Sequence, residues 1–168
     1  MAIKVGDRLP DGTLTEMVTE ERAGCTIGPN QFQVGDLAKG KKIAIFAVPG
    51  AFTPTCSAKH VPSYLASYDA LKAKGVDEIW CVSVNDGYVM AAWGRDQHAI
   101  GKIRMLGDGN AELAKKLGLE NDSTKGGMGI RSRRFSLFVE DGVVTRVNVE
   151  QPGKFEVSNA ETMLTQLG

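Results

Sequence analysis

The 168-residue chain carries twenty basic and twenty acidic residues, so its formal net charge is zero, and it is 42% hydrophobic and 24% charged. That balance fits a single globular domain over residues 1–168 and gives no electrostatic footprint for a nucleic-acid partner or a membrane surface. No apolar run reaches membrane-spanning length, the start lacks a signal-peptide pattern, and three unpaired-looking cysteines argue against a secreted disulfide scaffold. The chain reads as cytoplasmic, although an organellar mature form would look the same.

Turn signals at Pro10-Asp11-Gly12 and Gly28-Pro29-Asn30 surround short apolar pieces and predict an N-terminal β-hairpin within residues 1–35. The clusters Lys39-Gly40-Lys41-Lys42 and Arg131-Ser132-Arg133-Arg134 are too short for a binding stripe and read as solvated loops. Ile43 to Val48 is a continuous apolar run, as expected for a strand buried on both faces. A helical stretch follows from Pro54 to Lys74, with Tyr64, Leu65, Tyr68 and Leu71 at helical spacing, and Pro62 should kink or split it. Glu78 to Val84 is the next buried strand, completing a βαβ unit. Further helices are expected at Tyr88–His98 and Ala111–Leu117. Gly126-Gly127-Met128-Gly129 lacks the strand-then-helix context of a phosphate loop and reads as a flexible connection. Phe135–Glu140 and Val143–Val149 flank Asp141-Gly142, a strong hairpin signal. Ser158 and Glu161 form a capping-box pattern opening a C-terminal helix that ends near Leu167. The sum is an α/β, thioredoxin-like layout, a mixed central sheet flanked by helices.

Cys56 lies at the turn between the first buried strand and its helix, at the sheet edge where open α/β folds place their sites. Thr53 suits the N-cap, with its hydroxyl accepting from an orphan amide, and Pro54 suits the first helical position. Cys56 then falls at about the third helical residue, beside unpaired amides and the positive end of the helix dipole, where a thiol tends to ionise near neutral pH. A buried structural cysteine is the alternative. Three residues on stands Lys59 rather than a second cysteine, which speaks against simple disulfide exchange through Cys-x-x-Cys.

The run Pro49-Gly50-Ala51-Phe52-Thr53-Pro54-Thr55-Cys56-Ser57-Ala58-Lys59-His60-Val61-Pro62 resembles the active-site segment of peroxiredoxins of the type II or Prx5 subfamily (atypical or one-cysteine). The likeness continues through Val82-Ser83-Val84-Asn85-Asp86, Val89-Met90-Ala91-Ala92-Trp93 and Arg134-Phe135-Ser136, and covers the chain from about Val5 to the C-terminal helix. It implies thiol-dependent reduction of hydrogen peroxide and organic hydroperoxides. Cys56 matches the peroxidatic cysteine, Thr53 the threonine that hydrogen-bonds the peroxide, Pro49 the proline shielding the thiolate, and Arg134 the arginine beside the sulfur. Residue parity alone does not choose among Arg131, Arg133 and Arg134. The resemblance also implies a homodimer bordering the Cys56 pocket, with Trp93 or Phe52 contributing to it or else packing in the core.

In that chemistry a thiolate attacks one peroxide oxygen and becomes sulfenic acid. Donors fixed in advance, such as Arg134, Thr53 and amides of the Cys56 turn, would stabilise charge on the leaving oxygen. No metal or organic cofactor is required. His60, one turn after Cys56, reads as a hydrogen-bonded packing histidine, with a general base or metal ligand as the alternative, and His98 is read the same way. Recycling is ambiguous. Cys81 matches a candidate resolving cysteine of plant-type relatives but falls in a buried strand, and Cys25 has no transferable role. An external thiol is therefore expected, glutathione with glutaredoxin first and thioredoxin second. The competing reading is a redox-sensing interaction protein that signals through oxidation of Cys56.

Overall fold

The computed structural model describes residues 2–19 and 25–168. The run read as a doubly buried strand is β3 (Lys42–Val48), buried from Ile43 to Val48. It pairs in parallel with β4 (Glu78–Ser83) and antiparallel with β8 (Phe135–Glu140). β4 continues in parallel to β5 (Arg104–Gly107), which meets the N-terminal hairpin of β1 (Thr13–Val18) and β2 (Gly28–Gln33). β9 (Val143–Val149) closes the other edge, so the seven strands run β2-β1-β5-β4-β3-β8-β9. A separate hairpin joins β6 (Glu120–Asp122) to β7 (Ile130–Ser132).

Alternation along the central strands divides the core in two. Ile43, Ile45, Ala47, Trp80 and Val82 face the side covered by α1 (Val34–Ala38) and α5 (Glu112–Leu117). Ala44, Phe46, Val48, Ile79 and Cys81 face the other side, where α2 (Val61–Ala66), α3 (Tyr68–Ala73), α4 (Gly87–Asp96) and α6 (Ala160–Leu167) pack. Cys56 belongs to this second layer. This is the thioredoxin-like mixed sheet expected from the sequence.

The expected Pro54–Lys74 helix is divided as Pro62 required. Proline cannot supply an amide to the ladder, and the chain answers with a π-helical turn over Cys56–His60, in which the Val61 amide reaches the Cys56 carbonyl, before α2 begins. The capping box proves displaced by one residue. Asn159 is the N-cap of α6 and its side chain accepts from the Thr162 amide at 2.8 Å, while Ser158 turns inward to Glu150. Ala111 lies outside α5, at its N-cap with a left-handed φ of 56°. The glycine run 126–129 falls in the connection of the β6–β7 hairpin. Asp141 and Gly142 both have positive φ, as a tight two-residue hairpin demands.

Gly107 sits where β5 passes the backbone after β4, and a Cβ there would lie 2.5 Å from the Asn85 carbonyl oxygen. The obstacle is main chain and cannot swing aside. Gly107→Ala should therefore lower stability by about 1–3 kcal/mol, read as a fall in the urea midpoint at unchanged slope. Gly126→Ala, which meets nothing within 4 Å, should cost less than about 0.5 kcal/mol.

Candidate active site

β3 ends at Val48, and the chain turns at Pro49-Gly50. Thr53 closes the turn twice: its amide reaches the Gly50 carbonyl at 3.4 Å and its hydroxyl donates to the same oxygen at 2.7 Å. The hydroxyl is thus engaged in the turn instead of capping the helix through an amide as expected. The helix still starts there, since the Ser57 amide donates to the Thr53 carbonyl at 3.0 Å. Asn85, beyond the end of the neighbouring strand, anchors the turn from outside. Its Oδ1 accepts from the Ala51 amide at 3.0 Å and from the Ser83 hydroxyl at 2.5 Å. Phe52 takes a left-handed φ of 62° and stays half exposed.

Cys56 has no exposed surface. Burial by itself would suit a structural cysteine, but the polar contact at its sulfur does not. Arg134 Nη2 donates to Cys56 Sγ at 3.1 Å, and a guanidinium aimed at sulfur favours negative charge there. The sheet register brings the two together. Phe135 pairs with Ala47 in the ladder, so Arg134 lies opposite the carboxyl end of β3, where the cysteine turn begins.

Arg134 is held by a chain of partners. Its Nη1 donates to His60 Nδ1 at 2.9 Å. A guanidinium only donates, so Nδ1 accepts, the proton resides on Nε2, and Nε2 donates to the Ser158 carbonyl at 3.0 Å. His60 is fully buried between Phe46 and Phe155, with ring centroids 4.7 Å and 4.9 Å away. Burial, then the Arg134 charge, push its pKa down to about 3 against the Ser158 bond and Glu150. The Tyr64 hydroxyl donates to the same Ser158 carbonyl at 3.2 Å.

Ser158 is fixed in turn by Glu150. The Glu150 carboxylate accepts from the amides of Glu156, Val157 and Ser158 and from the Ser158 hydroxyl, at 2.7–3.0 Å. Burial raises the Glu150 pKa, but the Ser158 hydroxyl and these amides outweigh it, and the net shift is downward.

The sequence had named Cys56, Arg134 and His60 but missed Glu150, Ser158 and Asn85. Asn85 lay within the resembling run Val82–Asp86 without a role. Glu150 had only the weak signal of an acidic residue directly after an apolar strand. His60 is a hydrogen-bonded packing histidine, as expected, whereas His98 is exposed, just beyond the end of α4, with a left-handed φ of 57°. The arginines read as a solvated cluster are engaged: Arg131 donates to the carbonyls of Met128 and Val84, and Arg133 to that of Glu150. Arg134, whose guanidinium meets the sulfur, also lines a cavity of about 210 Å³ together with Pro49 and Thr55. Cys81 is fully buried in β4, and burial pushes its thiol well above the ordinary range. Cys25 is half-buried, and the neighbouring residues 20–24 lie outside the described residues. Trp93 is a core residue whose indole donates to the Ser57 hydroxyl at 2.9 Å. No group of three metal-ligating side chains occurs among the described residues.

This geometry has counterparts in known proteins. The redoxin family profile matches residues 4–164. Peroxiredoxin-2B of Arabidopsis thaliana is 46% identical over 165 residues, covering 98% of both chains. The chloroplastic peroxiredoxin-2E of the same plant is 45% identical over 168 residues, covering 99% of this chain and 70% of its own. Reduced Prx3 from Vibrio vulnificus, solved in complex with H2O2, superposes with a TM-score of 0.91 at 50% identity, covering 99% of each chain. This chain belongs to the redoxin family and, within it, to the type II peroxiredoxins, which are thiol-dependent peroxidases.

The neutral state of His60 has a consequence for stability. Unfolded histidine binds a proton near pH 6.5, and folded His60 only near 3. As pH falls through this window the unfolded chain gains a proton that the native state cannot take, so stability is lost on acidification. Wild type should lose about 1 kcal/mol per pH unit more than His60→Asn between about pH 6 and pH 4, measured by urea unfolding across that range.

Proposed function

We propose that Cys56 is the peroxidatic residue of this peroxidase and that Arg134, Thr53 and Pro49 form the rest of its catalytic site. The observation that carries the reading is the Arg134 guanidinium 3.1 Å from Cys56 Sγ, in a site otherwise closed by apolar packing. The Cys56 thiolate attacks one oxygen of the hydroperoxide. An S–O bond forms, the O–O bond breaks, and the leaving oxygen takes a proton to depart as water or an alcohol. Sulfur is oxidised by two electrons and becomes sulfenic acid. Arg134 stabilises the thiolate and then the charge passing to the leaving oxygen. Thr53, whose proton is held by Gly50, presents oxygen lone pairs to the peroxide hydrogen. Pro49 walls the cavity and limits water.

For recycling we infer an external thiol, glutathione with glutaredoxin ahead of thioredoxin. Cys81 supports this reading, because it is buried between β3 and β5 with its thiol held protonated and would need the Cys56 turn to unwind before bonding. Exposed Phe52 and Tyr88 suit a homodimer contact beside the site. Three free cysteines suit a reducing compartment such as the cytoplasm.

One equivalent of hydrogen peroxide followed by thiol blocking and intact-mass analysis should give a single added oxygen mapping to Cys56. A loss of two hydrogens mapping to a Cys56–Cys81 disulfide would replace external recycling with internal resolution. An unreacted Cys56 would favour a signalling role over peroxidase chemistry. Arg134→Gln should slow Cys56 oxidation by about a hundredfold, and Cys81→Ser should leave turnover with glutathione and glutaredoxin intact.

A further inference from the structure

The cavity that Arg134 lines has a wall that peroxide reduction does not use. Its lining joins Pro49, Thr55 (the residue before Cys56) and Arg134, whose guanidinium meets Cys56 Sγ, to Arg133 and Lys154. Arg133 spends one nitrogen on the Glu150 carbonyl, and among the described residues no carboxylate pairs with Arg133 or Lys154. Glu150 is the one carboxylate of this lining, and its oxygens are occupied by the three amides and the hydroxyl of residues 156–158. Three cations against one saturated carboxylate leave the cleft positive. Hydrogen peroxide is neutral and smaller than this space, so its reduction accounts for neither the volume nor the charge.

We propose that this cleft is a carboxylate-binding subsite, in which Arg133 and Lys154 hold an anionic low-molecular-weight thiol of the glutathione kind while its sulfur attacks oxidised Cys56. The inference rests on the external-thiol reading above. At about 210 Å³ the space falls short of a drug-sized pocket of roughly 300 Å³ or more, so it takes one carboxylate-bearing arm of a tripeptide and leaves the remainder in solvent. Arg133 offers a planar fork for the carboxylate, and Lys154 a mobile point charge. In the step itself the thiol sulfur bonds to Cys56 Sγ, and the S–O bond of the sulfenic acid breaks. The departing hydroxide leaves as water with the thiol's proton, giving a mixed disulfide. A second thiol then attacks the outer sulfur, regenerating the Cys56 thiol and releasing a disulfide of the two small thiols. Two thiols are oxidised for each sulfenic acid reduced.

The test uses the full chain, oxidised by one equivalent of hydrogen peroxide and confirmed as sulfenic acid before any thiol is added. Quenched-flow mass analysis then gives the rate of mixed-disulfide formation with glutathione and with its diethyl ester, in which both carboxylate charges are removed. The ratio of glutathione to ester rates should fall by about tenfold in Lys154→Glu, and in the same direction in Arg133→Gln, the size of one weakened charge-assisted contact. Raising the salt should lower the wild-type ratio towards that of the variants. A ratio unchanged within twofold in both variants overturns the proposal. It is also overturned if the variants alter only the preference for carboxylated over neutral hydroperoxides in the oxidation step, which would assign the cleft to the peroxide. Failure to form sulfenic acid at all is seen before thiol addition and defeats the peroxidatic assignment, taking this inference with it.

Discussion

The Arg134 guanidinium, lodged between Cys56 Sγ and His60 Nδ1, is the contact on which the site depends. A cation in so enclosed a place is costly unless its donors are matched. Here one face meets a sulfur that the proposed chemistry requires to be anionic, and the other meets an imidazole nitrogen, Nδ1, that can only accept. His60 performs this service because it stays neutral. Were it protonated, two cations would face each other in a medium of low dielectric, and Arg134 would be driven off the sulfur.

That neutrality is itself built by more distant residues. The Ser158 carbonyl takes the Nε2 proton of His60, which fixes the tautomer, and Ser158 is pinned by the Glu150 carboxylate through its amide and its hydroxyl. Glu150 follows β9, and Arg134 precedes β8, its antiparallel partner. The Glu150 amide donates to the Arg134 carbonyl at 3.0 Å, extending the ladder by one bond. The hairpin that positions the arginine therefore also positions the carboxylate that orients its support. Asn85 does the equivalent work for the other half of the site by holding the Ala51 amide at the turn. The geometry of the Cys56 site is thus set by the ends of β3, β4, β8 and β9, with the loop 150–158 tied down by its own acid.

The sequence revealed the parts whose signal is local. Ile43–Val48 is apolar without interruption because both of its faces are covered, and Asp141-Gly142 announces its hairpin because few other residues tolerate left-handed backbone at both positions. Cys56 was legible from its setting of turn, proline and helix start, and its resemblance to a family motif carried the choice of Arg134. What stayed hidden depends on distance. β5 has only four residues, and β6 and β7 have three each, too short to show a period. Glu150 acts on residues six to eight positions away, and Ser158 on a histidine 98 positions away. No spacing rule encodes such contacts. Ser158 even carried a misleading signal, since its capping-box pattern with Glu161 suited a helix start while the burial of Glu150 drew it inward and left the cap to Asn159.

In the proposed chemistry His60 serves by holding Arg134 on the sulfur and not by acting on the peroxide itself. A double-mutant cycle on the second-order rate of Cys56 oxidation tests this directly, with His60→Asn, Arg134→Gln and the pair together. If His60 acts through Arg134, its replacement slows oxidation in the wild-type background and changes little once Arg134 is gone. Equal losses from His60→Asn with and without Arg134 would contradict the account and give the histidine an independent role.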